Sequence, residues 1–297
     1  MRAELGLRRL TAPPSALAAD AGLDRMRATG RRGAGSHSLW LGLALVVLWL
    51  LAALLAPLAA YSPDAVGAGA RLDAPSLAHP FGTDALGRDM FSRVLHGARI
   101  ALWVALLGTA ISAAFGLSLG LLAGFYAGWL DQGLSRAMDV WMAFPGLLLA
   151  IIIVARLGPA LENAVLALGV IGAPAFYRLM RSGALGIRRA DYVAAARATG
   201  ASDRRIMARH VLPNLASSII VFVTLRMGIL ILAGGSLSFI GLGAQPPAPE
   251  WGALLAAGRD YMDVAPWLAI IPGLCLTLTV AGLNLLGDGL RDRLDPR

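Results

Sequence analysis

Uncharged apolar runs long enough to cross a bilayer constrain this chain more than any other feature. Leu39–Ala60 is 22 residues without a charged side chain, and Ile100–Leu130 is 31. A helix advances about 1.5 Å per residue, so about 20 residues cover a hydrocarbon core about 30 Å thick. Further spans are expected near Ala137–Ala155, Pro159–Leu179, Asn214–Gly234 and Ala265–Gly287. The expected fold class is therefore an all-α integral membrane protein with about six transmembrane helices. A signal peptide is the rival for the first run, but its apolar region would be only about 7–15 residues long, which favours a retained span.

Composition agrees. Charged residues make up 15% of the chain, against about 25% for a soluble domain. All 26 basic residues are Arg. A Walker A phosphate loop places its Lys on the β- and γ-phosphates, so a chain without Lys is not a standard nucleotide-hydrolysing subunit. The net charge of +8 calls for no nucleic acid, because the Arg residues collect between the apolar runs, where membrane orientation places them. With the amino terminus inside, the cytoplasmic segments hold 19 Arg: seven in residues 1–38, Arg136, eight from Arg178 to Arg209, and three from Arg291 onward. The outer segments hold six, and Arg226 lies within the fifth span. The positive-inside rule then places both termini in the cytoplasm.

The expected organisation is a cytoplasmic tail over 1–38, a first span over 39–60 and an extracytoplasmic loop over 61–99. A five-helix core over 100–287 follows, with a long inner loop at 181–213 and a cytoplasmic tail over 288–297. Within the outer loop, Arg88–Gly97 places Met90, Phe91, Val94 and Leu95 on one face and Asp89, Arg93 and His96 toward the other. Either a helix lying in the membrane interface or an ordinary loop helix fits that pattern.

Gly116, Gly120, Gly124 and Gly128 recur every four residues, which would put all four on one helix face and let a second backbone approach closely. The same stretch contains a formal G-x-S-x-G around Ser118. A nucleophile elbow requires a strand–turn–helix setting, and here the serine is mid-helix with no His or Asp near it, so no catalytic residue is assigned. His37, His79, His96 and His210 form no metal-binding pair, and no metal site is expected. The single Cys275 cannot form an internal disulfide and reads as a packing residue. Arg226, in mid-span, costs about 2.5–3.5 kcal/mol on insertion scales. Lining a path for solute, pairing with a partner subunit and snorkelling all fit it.

The inner loop runs RRADYVAAARATGASDRRIMARHVLPN over residues 188–214. It reads as a short Ala-rich helix, a break at Gly200, a basic helix capped by Ser202, and Pro213 at the start of the fifth span. Ala faces permit deep seating in a groove, and Gly200 is free to take φ > 0. Docking on a soluble partner and a solvated basic loop are equally compatible with the residues alone.

This loop resembles the EAA signature of ABC importer permeases, E-A-A-x-x-x-G followed by I-x-L-P, in which the short helix couples to an ATPase subunit. Ala195, Ala196, Gly200, Pro213 and Asn214 match, and Ala194 stands where the signature has Glu. Three further stretches resemble the second permease of peptide and nickel importers. They are HPFGTDALGRDMFSR over 79–93 with Gly97 to Arg99, LSFIGLGAQPP over 237–247 with Trp251 and Gly252, and NLLGDGLRDRLDPR over 284–297. Gly234 stands where such permeases usually carry an acidic residue.

The resemblance implies a type I importer permease fold with an extra amino-terminal span, in the cytoplasmic membrane. It implies a second homologous permease, two ABC ATPase subunits that hold Mg-ATP, and an extracytoplasmic substrate-binding protein as partners. It implies no cofactor bound directly. The coupling residues it marks are Asp191, Tyr192, Ala194, Ala195, Ala196, Gly200, Ala201, Ser202, Arg205, Pro213 and Asn214. In the family the signature Glu tends to pair with a base on the ATPase; Ala194 removes that pair, leaving docking to shape and apolar contact. Peptides lead as the substrate class, with nickel or another small solute as the alternative. A secondary transporter, a channel or a membrane scaffold is the reading from another class, but acidic or broken, charge-lined spans are missing.

Overall fold

The computed structural model describes residues 37–294, all helix and loop, with no strand among them. The seven Arg of the amino-terminal segment, and Arg297, lie outside the described residues. Nine helices follow in order: α1 (His37–Leu58), α2 (Met90–Tyr126), α3 (Gly128–Met142), α4 (Gly146–Leu157), α5 (Leu161–Ile187), α6 (Asp191–Ala198), α7 (Asp203–Phe239), α8 (Trp251–Arg259) and α9 (Trp267–Leu294). Of these, α1, α2, α5, α7 and α9 are long and apolar enough to cross a membrane, and α3 with α4 makes a sixth crossing if the bent pair is counted as one.

The third expected span is thus broken. α3 and α4 meet at 85° across residues 143–145. Pro145 supplies the reason: its ring fixes φ, lacks a donor and pushes Phe144 out of the helical region. α3 is not an apolar rod but a polar-faced helix held to the inner end of α5. Asp131 pairs with Arg181, and the Ser135 hydroxyl lies 2.9 Å from that of Tyr177.

Glycines set the closest helix contacts. Gly116, Gly120 and Gly124 lie against the α5 backbone from Ala173 to Ala184, where any Cβ would collide. Gly128 is not part of this seam. α2 ends at Tyr126, Ala127 and Gly128 both take positive φ, and nothing lies within 4 Å of where a Gly128 Cβ would stand. A second seam joins α1 to α9 through Gly42, Gly282 and Gly289, the last packed on Leu39.

The outer loop differs from its expectation in kind. Met90 begins a helix of 37 residues that continues without interruption into the membrane, so no separate interfacial helix exists. Asp89 caps it, accepting from Ser92 N at 2.7 Å. Both faces of its first turns are covered. Met90 and Val94 pack in a cluster with Trp251, whose Nε1 donates to Val94 O at 3.0 Å. Arg93 is only 3% exposed; it donates to Pro63 O at 2.8 Å and Pro247 O at 3.3 Å, tying two outer loops together. The loop before it is knit by its own polar side chains. Thr83 Oγ1 donates to Ala70 O and accepts from Asp73 N, Asp84 accepts from Leu86 N and Arg88, and His79 Nδ1 lies 2.9 Å from Asp89.

α7 joins two expected elements. The basic helix after Ser202 and the fifth span form one helix, interrupted by a π turn at Met207–Val211. Pro213 therefore follows the π turn inside a continuous helix rather than starting one. A wider turn gives up regular i→i−4 bonds, which lets a proline be accommodated there. Asn214 Nδ2 donates to His210 O at 2.6 Å beside it. At the other end of the chain α9 continues to Leu294, so residues 288–294 of the expected tail are helical.

Candidate functional site

The inner loop is short, helical and firmly seated. α6 begins after the extended Ala190, with Asp191 in its first turn and Arg197 in its last, matching the helix dipole at both ends. Val193 is its anchor. It is fully buried among Phe125, Met180, Ala184, Ile206, Met207 and Val211, which joins the loop to the inner ends of α2, α5 and α7. Arg197 lies over the Phe125 ring at 5.2 Å, and the Tyr192 and His210 rings are 5.9 Å apart.

The exit from α6 is a Schellman turn. Ala201 N donates to Ala196 O at 3.0 Å and Gly200 N to Arg197 O at 2.9 Å, with Gly200 at φ +84°. Ser202 then caps α7, accepting from Arg205 N at 3.4 Å. Each turn residue expected from the sequence does its local work, and the result is a fixed projection rather than a slack loop.

What the projection presents is a small Ala face bordered by polar and charged side chains. Asp191, Tyr192, Ala194 and Ala195 are exposed, Ala196 and Ala201 are half-buried, and Ser202 and Arg205 are exposed on the next helix. Arg189, Arg204 and Arg209 are exposed around them. No paired nucleophile and base lies on this surface.

Arg226 lies elsewhere, half-buried in the membrane half of α7. Its Nε has no hydrogen-bond partner among the described residues, its guanidinium carbon lies 5.9 Å from the Phe222 ring centre, and Nη2 lies beside Gly172 of α5. Ser118 is exposed in the middle of α2, as a helical surface residue would be. Gly234 is buried, and the Val104 side chain occupies the space a Cβ would need.

Sequence reasoning passed over Glu250. It is 3% exposed at the head of α8, accepting from Ala253 N at 3.0 Å and bonded to Gly252 N and Ser238. Burial is the dominant influence and raises its pKa, with the three hydrogen bonds opposing it. A Glu directly before a Trp-Gly helix start, reading as an N-cap, was the available signal.

Comparison with known proteins gives this arrangement a family. Residues 116–297 match the family described as binding-protein-dependent transport system inner membrane component. The dipeptide transport system permease protein DppC of Alkalihalophilus pseudofirmus is 45% identical over 257 residues, 86% of this chain and 84% of the relative. The glutathione transport system permease protein GsiD of Escherichia coli is 52% identical over 223 residues, 75% of this chain and 74% of the relative. Among solved structures, a chain of the inward-facing MetNI methionine ABC transporter superposes with a TM-score of 0.59 at 18% identity, covering 70% of this chain and 98% of that one. That likeness is one of fold, the type I importer permease fold, with α1 as an added amino-terminal span.

Proposed function

The chain belongs to the family of binding-protein-dependent transport system inner membrane components, and from that premise we propose that this ABC importer permease subunit forms half of a path for di- or oligopeptides. The observation that carries the coupling part of this reading is the rigid Ala-faced projection of α6. Val193 holds it from beneath, and Gly200 turns the chain away on its far side. In this reading α6 seats in a groove on an ATPase subunit, and the long α7 and the inner ends of α2 and α5 carry its displacement into the membrane. A second homologous permease completes the path, two ATPase subunits bind and hydrolyse Mg-ATP, and an extracytoplasmic binding protein delivers the solute. Both termini and the 181–213 loop face the cytoplasm in this reading, which the Arg distribution supports. Arg226 lines the path.

The peptide assignment rests on the solutes named for relatives at 45% and 52% identity. It is tested by uptake of a labelled dipeptide in cells that carry or lack this chain. ATP-dependent uptake that disappears with the chain and returns on its re-expression is the expected result. Uptake that persists at full rate without it contradicts the assignment.

A further inference from the structure

We infer that Arg226 is a specificity-determining residue that receives the carboxylate of the solute as it crosses the membrane; this rests on the peptide reading above. The inference starts from an unusual electrostatic situation. Several other cations beside the helices are paired with nearby carboxylates or carbonyls: Arg181 meets Asp131, Arg178 meets Asp139 at 3.2 Å, and Arg93 meets two carbonyls. Arg226 has none. Its charge sits in the membrane half of α7 with an aromatic ring and a glycine for neighbours, and no carboxylate lies within ion-pair distance among the described residues.

An unpaired charge at that depth is costly, so it is retained where something compensates it. Lipid headgroups do not. Asn214 and Phe239 each lie roughly 18–20 Å along the helix from Arg226, further than an arginine side chain extends. A peptide solute has the converse difficulty, because its carboxylate is just as costly in a low-dielectric path. A guanidinium presents a planar fork that donates two parallel hydrogen bonds to a carboxylate. Each charge thus relieves the other only while solute passes.

The test compares a dipeptide with its C-terminal amide. Both are offered to proteoliposomes that hold the complete transporter, with the same binding protein and Mg-ATP, and the readout is the ratio of acid to amide uptake. Because the binding protein is common to all preparations, a change in the ratio belongs to the permease. In Arg226→Gln the ratio should fall at least fivefold, and Arg226→Lys, which keeps the charge but not the fork, should recover only part of that loss. A ratio unchanged in Arg226→Gln, with both uptakes reduced in parallel, overturns the inference and assigns the guanidinium to an acid on the partner permease. If the wild-type transporter imports neither compound, the peptide reading itself fails and this inference falls with it.

Discussion

Gly200 and Glu250 show how much a single residue can hold. Gly200 takes φ +84° with no atom within 4 Å of where a Cβ would stand. A Cβ there meets no clash, so the cost of a valine is chiefly conformational, about 1–2 kcal/mol. Hydrogen exchange of the turn's Ala201 amide, followed in the assembled transporter, should quicken about tenfold in Gly200→Val and less in Gly200→Asn, since Asn tolerates the left-handed region. Equal exchange in all three would mean that the turn is not held by this residue. Glu250 makes a different kind of prediction. Its folded pKa is raised chiefly by burial, so the folded state binds the proton more tightly than the unfolded state does. Its contribution to stability is fully present below the ordinary glutamate range and is lost as pH rises through the raised value. Protection of α8 amides, corrected for intrinsic exchange, should therefore decline with rising pH in the wild type. Glu250→Gln keeps an acceptor oxygen for Ala253 N, and should flatten that profile. A profile of unchanged slope in the variant would remove Glu250 as its cause.

At the scale of elements, the seam between α2 and α5 makes the sharpest demand. Gly120→Ile would drive a branched side chain into the α5 backbone at Tyr177 and the Met180 side chain. Overpacking of this kind costs about 1–3 kcal/mol, which should appear as a lower midpoint of thermal unfolding in detergent. Gly133 sits in α3 with nothing within 4 Å of where a Cβ would stand. Gly133→Ala should be neutral or stabilising by about 0.5–1 kcal/mol, and equal effects at the two sites would deny the seam its role. Three of the four glycines in this pattern were legible because a four-residue step is a local property of one helix. The fourth, Gly128, was misread because the step carries no mark of where the helix stops. The α1–α9 seam was invisible, since Gly42, Gly282 and Gly289 share no spacing until two distant helices are brought together. The spans themselves were legible from length and charge. The break at Pro145 was not, because mean hydropathy passes smoothly over it. In the inner loop, Gly200 and Ser202 declared themselves as turn chemistry, whereas the anchoring of Val193 depends on three helix ends far apart in sequence. Arg93 read as the polar side of a helix, interfacial or in a loop, because its two carbonyl partners lie in separate loops.

At the scale of the whole molecule, the chain is a bundle with a knit cap over residues 61–89 at one end, a glycine-seamed body, and the α6 projection at the other end. Its orientation is open to direct measurement. In a Cys275→Ala background, a cysteine at Leu77, which is fully exposed in the outer cap, should react with an impermeant thiol reagent in intact cells. One at Ser202 should react only after the membrane is opened. The reverse labelling would invert the topology and put the projection on the wrong side for an ATPase. The central claim, that the α6 projection couples this subunit to ATP hydrolysis, is tested most directly by solute-stimulated hydrolysis in the complete transporter bearing Ala195→Trp. The exposed Ala195 makes no buried contact within the chain, so the substitution should leave the amount of membrane-inserted protein unchanged while adding bulk to the docking face. The account predicts that stimulation by binding protein and dipeptide falls at least tenfold, together with retention of the ATPase subunits. Stimulation and retention both at wild-type levels would contradict it.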